Sequence, residues 1–387
     1  MHIPPLKVLI ILGTRPEAIK LAPVIRELQR FTRDFRLYLC ATGQHRELFE
    51  QVKAAGLFHV PLQYELKVMK LNQTLDELTT NLLMGISGVL KEVRPNLIIV
   101  QGDTSTALVG ALAGFYHHIK VAHIEAGLRT QDRFAPFPEE INRRLISQIA
   151  DFQFAPTEWA GRNLIREGIP RARVFVTGNT VVDVFLAVRR RVTNTPPRIP
   201  ELDSVPISRE KKLILVTAHR RESFGTGIIN ICSALRSLAE LRSDIEIVYP
   251  VHPNPNICGP VHKRLEGVPR IHLIPPLEYV AFTWLMTKAY LALTDSGGIQ
   301  EEMPSLRRPV LVMRDKTERP EGLRAGVCKL VGTDPEVIER TVVRLLDDRR
   351  AYKRFSRNPN PFGDGKASRR IVRILRRELR KPVRSSG

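Results

Sequence analysis

The stretch Leu291-Ala292-Leu293-Thr294-Asp295-Ser296-Gly297-Gly298-Ile299-Gln300-Glu301-Glu302 decides how this chain reads. A short apolar run enters an acidic residue, a serine and two glycines, and then a segment of helical composition. A strand that turns through glycine into a helix leaves the first backbone N–H groups unpaired and the positive end of the helix dipole pointing outward. Both favour phosphate, and the glycines let a ligand approach the backbone closely. The same letters also fit a plain turn in which Asp295 or Ser296 caps the helix. Glu302, one turn in, is able to hydrogen-bond ribose hydroxyls.

Outward from this motif, strand-like runs alternate with helical patterns, which is the signature of βα units and of parallel sheets covered on both faces. The first half offers Val8–Leu12, Leu37–Ala41, Leu97–Gln101, Val121–Ile124, Phe152–Ala155 and Val174–Val176 as strands. The second half restarts with Leu213–Thr217, Ile245–Tyr249, Ile271–Ile274, Leu291–Thr294 and Val310–Val312. A chain of 387 residues exceeds what one core usually fills. The expected fold is therefore α/β, with two doubly wound Rossmann-like domains facing a cleft. A first domain is expected over 1–190, a proline-rich linker over 191–208, a second domain over 209–365 and a basic helix over 366–387. Ligands of such sheets sit beyond the carboxyl ends of the strands.

Composition narrows the classes. With 43% hydrophobic and 26% charged residues the chain is globular. Its apolar runs are far shorter than the roughly 20 residues that span a bilayer, and it opens with no signal-peptide pattern, so a soluble, cytoplasmic protein is expected. Cys40, Cys232, Cys258 and Cys328 are scattered without metal-like spacing, which indicates neither disulfides nor a metal site. A net charge of +20 raises the possibility of nucleic-acid binding. Aromatic residues are only 6% and no recognition motif is present, so no nucleic-acid partner is expected. Much of the charge lies in the tail, where Arg369, Arg370, Arg373, Arg376, Arg377 and Arg380 interleave with Ile371, Val372, Ile374, Leu375 and Leu379 at helical spacing. That pattern predicts a docked helix with a solvated basic face.

Several residues at strand ends have the chemistry of a site. Gly13-Thr14-Arg15-Pro16-Glu17-Ala18-Ile19-Lys20 is a glycine turn into a helix, without a dinucleotide or Walker pattern. Arg15 and Lys20 can bring positive charge there. Ala218-His219-Arg220-Arg221-Glu222-Ser223 offers dense phosphate donors, with a structural role for His219 as the alternative. Asp103, Glu125 and Glu139 each follow a strand or open a helix and can exchange protons. Each also has a structural alternative: Asp103 as a helix cap, Glu125 as a loop acceptor, Glu139 as a first-turn partner of Arg143.

Taken together, Gly13–Lys20, Gln101–Thr104, His123–Thr130, Pro138–Glu140, Gly178–Thr180, His219–Ser223 and Thr294–Glu302 resemble the non-hydrolysing UDP-N-acetylglucosamine 2-epimerases. The likeness runs from Val8 through Gly365. It implies a glycosyltransferase-B-type fold in which the C-terminal helix returns to the first domain. The implied reaction interconverts UDP-N-acetylglucosamine and UDP-N-acetylmannosamine without cofactor or metal, by elimination of UDP to 2-acetamidoglucal and its return. By the same resemblance Asp103, Glu125 and Glu139 are acid/base carboxylates. Arg15, His219, Ser296, Gly297 and Gly298 meet the diphosphate, Phe282 the uracil and Glu302 the ribose, with Lys20, Arg143 and Arg319 as supporting cations. Phe282 also reads as core packing beside Trp284 and Leu285. Gln44, His45, Arg46, Arg220, Arg221 and His252 resemble parts of a second, activating sugar-nucleotide site. Asn72 stands where members with that site commonly carry arginine, and Ala218 where some have glycine. The resemblance implies a homodimer. A hydrolysing epimerase and a glycosyltransferase of the same fold are the alternatives.

Overall fold

The computed structural model describes residues 4–43, 61–68, 70, 73–207 and 210–380. The chain divides into two compact units, one formed by 1–184 together with 363–387 and the other by 185–362.

The first unit carries a seven-stranded parallel sheet: β1 (Leu6–Leu12), β2 (Phe35–Ala41), β3 (Tyr64–Glu65), β4 (Leu97–Gln101), β5 (Lys120–Ile124), β6 (Phe152–Ala155) and β7 (Val174–Val176). Their order across the sheet is β3-β2-β1-β4-β5-β6-β7, every neighbour parallel. The run Leu97–Gln101 is buried along its whole length because helices cover both faces, which is why it shows no alternation in sequence. The helices include α1 (Arg15–Gln29), α2 (Leu75–Val93), α3 (Ser105–Tyr116), α4 (Glu139–Ile149) and α5 (Glu158–Arg166). The order reverses between β1 and β4, so the turns after these two strands flank a topological switch point. Gly13 in the β1 turn is required by close approach: a Cβ there would lie 2.3 Å from Thr106 Oγ1 at the start of α3.

The second unit repeats the plan with six parallel strands: β8 (Lys212–Thr217), β9 (Ile245–Pro250), β10 (Ile271–Ile274), β11 (Leu291–Thr294), β12 (Val310–Val312) and β13 (Cys328–Leu330). Their order is β10-β9-β8-β11-β12-β13, and its switch point lies between β8 and β11. The strands read from sequence are all present. Two short ones, β3 and β13, were not foreseen because each contains a charged residue, Glu65 or Lys329, and neither is a continuous apolar run like Val174–Val176 or Val310–Val312.

The boundaries differ from the sequence expectation. Helix α6 (Thr180–Asn194) runs through the division at 184/185, so 191–194 continue a helix and are no linker. Ile199, Leu202 and Val205 are buried in the second unit's core, which makes the proline-rich segment part of that unit. Its spaced apolar residues were masked by the prolines around them. The C-terminal helix, numbered α14 here (Ala367–Glu378), belongs to the first unit and packs on α1. Its stripe of Ala367, Ile371, Val372 and Leu375 is buried. Asp183 holds its start, accepting from the N–H groups of Ala367 (3.0 Å) and Ser368 (2.8 Å) and from the Ser368 hydroxyl (2.6 Å).

Candidate functional site

Two clusters of polar groups form, one in each unit, beyond the ends of the parallel strands at and beside the switch point.

In the first unit the centre is Glu125, just past the end of β5. Its backbone is left-handed, with φ 67°, a conformation rare outside glycine and costly by about 1–3 kcal/mol. The side chain is buried and heavily engaged. Lys20 Nζ donates to both carboxylate oxygens (2.6 and 2.7 Å), Gln101 Nε2 to one (2.5 Å) and Asn179 Nδ2 to the other (2.8 Å). Three separate elements, α1, β4 and the segment that leads into the helix starting at Thr180, thus aim donors at the one carboxylate that the β5 turn presents. Such convergence fixes a reactive group in space.

Asp103, in the turn after β4, is ion-paired to Arg143 of α4 at 2.6 Å. It does not cap the following helix; Thr104 does, accepting from Ala107 N–H at 3.1 Å. Glu139 opens α4, and its buried Oε2 has no hydrogen-bond partner in the unit. The expected Glu139–Arg143 pairing is not formed, because Arg143 turns across to Asp103, and its other contact is Glu140 at 3.5 Å. Local helical spacing could not show a partner 40 residues away. Glu140 is fully buried and accepts from the N–H groups of Thr130 and Gln131, which orders the loop before α4. His123 donates from Nε2 to the Gly102 carbonyl at 2.7 Å, and burial above all pushes it down to about 4, so the ring is neutral at pH 7.

Behind these lies a group that sequence reasoning passed over. Glu17 accepts from Gly13 N–H (3.0 Å), Thr14 N–H (2.6 Å) and the Thr104 hydroxyl (2.7 Å), tying the β1 and β4 turns together across the switch point. Burial raises its carboxyl above the ordinary range. The signal was the Thr14–Glu17 capping box. Gln101 and Asn179 were missed because neutral amides show their role only through the carboxylate they hold. Arg15 is the first residue of α1, in the same turn.

In the second unit the motif Asp295–Gly298 forms the turn from β11 into α10 (Gly297–Glu302). Neither capping reading holds: Ser296 makes no side-chain cap, and Asp295 points back across the switch point. The buried Asp295 accepts from the N–H groups of His219 (2.7 Å) and Arg220 (2.8 Å) in the turn after β8, and lies 3.2 Å from His219 Nδ1. Burial, then the nearby Arg220, His252 and Arg314, lower the His219 pKa, while Asp295 opposes them. The His252 ring stacks on His219 with centroids 5.8 Å apart.

Arg319 lies against Gly297. Its Nε donates to Glu301 (2.6 Å) and Nη1 to Glu318 (2.5 Å), and it is only 8% exposed. Glu318 also meets Arg314 and Arg220, and these cations hold its carboxyl well below the usual range against the opposing effect of burial. A mobile arginine head is thereby locked beside the helix start. Glu302 accepts from the Tyr279 hydroxyl at 2.9 Å. Phe282 is half-buried and packs against the unit's core. Arg221 is exposed in a short 3-10 turn. Gln44, His45, Arg46 and Asn72 lie outside the described residues. Among the described residues, no group of three or more metal-ligating side chains forms and no helix is long and apolar enough to cross a membrane.

Two all-parallel Rossmann-like sheets, each with polar groups gathered beyond the ends of its strands, define an α/β protein of the glycosyltransferase-B type. The family model described as UDP-N-acetylglucosamine 2-epimerase matches residues 26–376, and the chain belongs to that family. It is 50% identical over 371 residues to a probable UDP-N-acetylglucosamine 2-epimerase of Ralstonia solanacearum, covering 95% of this chain and 98% of that protein. It is 49% identical over 373 residues to the UDP-N-acetylglucosamine 2-epimerase of Escherichia coli K12, covering 96% and 98%. Among solved structures, the Neisseria meningitidis UDP-GlcNAc 2-epimerase bound to UDP-GlcNAc is similar with a TM-score of 0.90 and 44% identity, covering 96% of this chain and all of that one.

Proposed function

We propose that this protein interconverts UDP-N-acetylglucosamine and UDP-N-acetylmannosamine by inverting C2, with neither a redox cofactor nor a metal. A base removes the C2 proton, and the C–H electron pair becomes the C1=C2 bond. The C1–O bond breaks with its electrons leaving on UDP. Return of UDP to C1 and of a proton to the opposite face of C2 completes the inversion. This route needs acid/base groups on the sugar and cations and dipoles on the departing diphosphate.

The observation that carries this reading is the convergence of Lys20, Gln101 and Asn179 on the strained, buried Glu125. Strain is retained where surrounding groups over-determine it, and such positions cluster at active sites. Glu125, Asp103 and Glu139 are assigned the proton transfers, without division between the two faces of C2. Arg15, His219, the α10 N–H groups at Ser296–Gly298 and Arg319 are assigned the diphosphate. Phe282 is assigned the uracil, Glu302 the ribose, and Lys20 and Arg143 support the carboxylates. Arg220, Arg221 and His252 are proposed to contribute to an activating site.

Incubation with UDP-N-acetylglucosamine in D2O tests the proposal. Both epimers should appear with deuterium at C2 and little net UDP. Stoichiometric UDP and free sugar would instead indicate a hydrolysing enzyme, and no exchange without an acceptor would indicate a transferase.

A homodimer is also proposed. Helices α2 and α3 pack together and leave Leu75, Met84, Phe115 and Tyr116 exposed, with Leu145 exposed on α4. Thr79–Leu90 and all of α3 carry no charge, in a chain of which 26% is charged. An uncharged apolar face of this kind suits a second copy. We place the enzyme in the cytoplasm, where nucleotide sugars are made.

A further inference from the structure

The basic helix α14 holds more than a solvated face. Three of its arginines are accounted for by acids: Arg370 pairs with Asp364, Arg377 with Glu378, and Arg376 with Asp34 at 2.6 Å. Arg369 and Arg373, one turn apart and both exposed, have no acidic or hydrogen-bonding partner among the described residues. Like charges at this spacing repel and weaken a helix.

These two side chains line a hollow of about 340 Å³ between α14 and the end of α1. The other lining groups are Arg376, Arg30, Phe31 and Glu27. Phe31 forms a floor on which the Arg376 guanidinium stacks, 4.0 Å from the ring centroid, and Asp34 fixes that guanidinium from the side. Arg30 is tied to Glu27 at 3.2 Å. The lining therefore holds four guanidinium groups against a single carboxylate, with one guanidinium rigidly posed and two awaiting a partner.

We propose that this hollow binds a small anion bearing two or more phosphate groups, held by Arg369, Arg373, Arg376 and Arg30. Guanidinium pairs phosphate oxygens bidentately, and the spacing of Arg369 and Arg373 suits two linked phosphates better than one carboxylate. A lipid surface is a poorer fit, because Ile371, Val372 and Leu375 of α14 are buried in the first unit and leave no wide apolar face to insert. Within the first unit, the hollow lies at the opposite end of α1 from Arg15 and Lys20.

The test is calorimetric titration of the full-length chain with inorganic tripolyphosphate at about 0.15 M salt, with and without saturating UDP. Saturable binding that survives UDP and weakens about tenfold or more in Arg369→Gln/Arg373→Gln is the expected result. Arg377→Gln, which removes an arginine already paired to Glu378, should leave it unchanged. No saturable binding, equal binding by the double variant, or full competition by UDP would overturn the proposal. So would tighter, Arg369- and Arg373-dependent capture of phosphatidylserine vesicles or single-stranded DNA than of tripolyphosphate. A chain that binds tripolyphosphate but not UDP would retain this site and contradict the proposed reaction instead.

Discussion

Gly297→Ala isolates one contact on which the second cluster depends. A Cβ at 297 would lie 2.5 Å from Arg319 Cζ, 2.5 Å from Nη1 and 2.9 Å from Nη2. Ordinary contact needs about 3.5–4.0 Å, so the guanidinium must retreat by roughly 1 Å. An arginine head normally moves cheaply. This one is pinned by Glu301 at 2.6 Å and Glu318 at 2.5 Å in a nearly solvent-free position, so retreat stretches two buried ion pairs. Overpacking costs about 1–3 kcal/mol, and breaking a buried pair outright about 3–5. We expect a loss of about 2–3 kcal/mol by chemical denaturation, and UDP binding weaker by about tenfold to a hundredfold in titration calorimetry. Helix propensity alone predicts the opposite sign, a gain of up to about 1 kcal/mol. The decisive comparison is the double-mutant cycle with Arg319→Ala, where the clashing atoms are gone. There Gly297→Ala should be neutral or stabilising. Additive effects in the cycle, or a stable and tightly binding Gly297→Ala single variant, would refute the pinned-guanidinium argument.

Glu125→Gln or Asp103→Asn should abolish C2 deuterium exchange while UDP binding persists, and unimpaired exchange in both would remove the carboxylate assignment. His123 has a folded pKa lowered to about 4 from 6.5, so the unfolded chain binds the extra proton first. Stability should be full above pH 6.5 and fall as pH drops towards 4, by up to roughly 3 kcal/mol. His123→Gln keeps a donor for Gly102 and should flatten that part of the pH profile; an unchanged profile in denaturation experiments would contradict it. Asp183→Ala removes three hydrogen bonds at the start of α14 and should cost about 2–4 kcal/mol, seen as a lower melting temperature. Met84→Lys with Phe115→Glu should convert a dimer into a monomer by light scattering, and an unaltered mass would place any interface elsewhere.

The strand–turn–helix pattern was legible because βα units write buried apolar runs and turn glycines directly into sequence. Thus β1, β4, β8 and β11, and with them the turns that carry Arg15, Asp103, His219 and Ser296, were found in order. Their arrangement around switch points follows from strand order, which no local window encodes. The same limit explains the misread partners. Arg143 looked like a helical neighbour of Glu139, yet it serves Asp103 on another strand end. Asp295 looked like a cap for its own helix and instead holds the turn at His219 and Arg220. Gln101, Asn179 and Glu17 carry no chemistry visible in isolation. Their importance lies in what they hold.

The return of α14 to the first unit has a consequence during synthesis. The second unit is continuous in sequence, but the first needs residues from both ends of the chain. At roughly 5–20 residues per second, the ribosome takes about 10–40 s to make the 185–362 segment. Throughout that interval the α1 surface that α14 will cover stays open to water. The nascent protein can therefore finish the later-made unit first, and the unit begun first is sealed last.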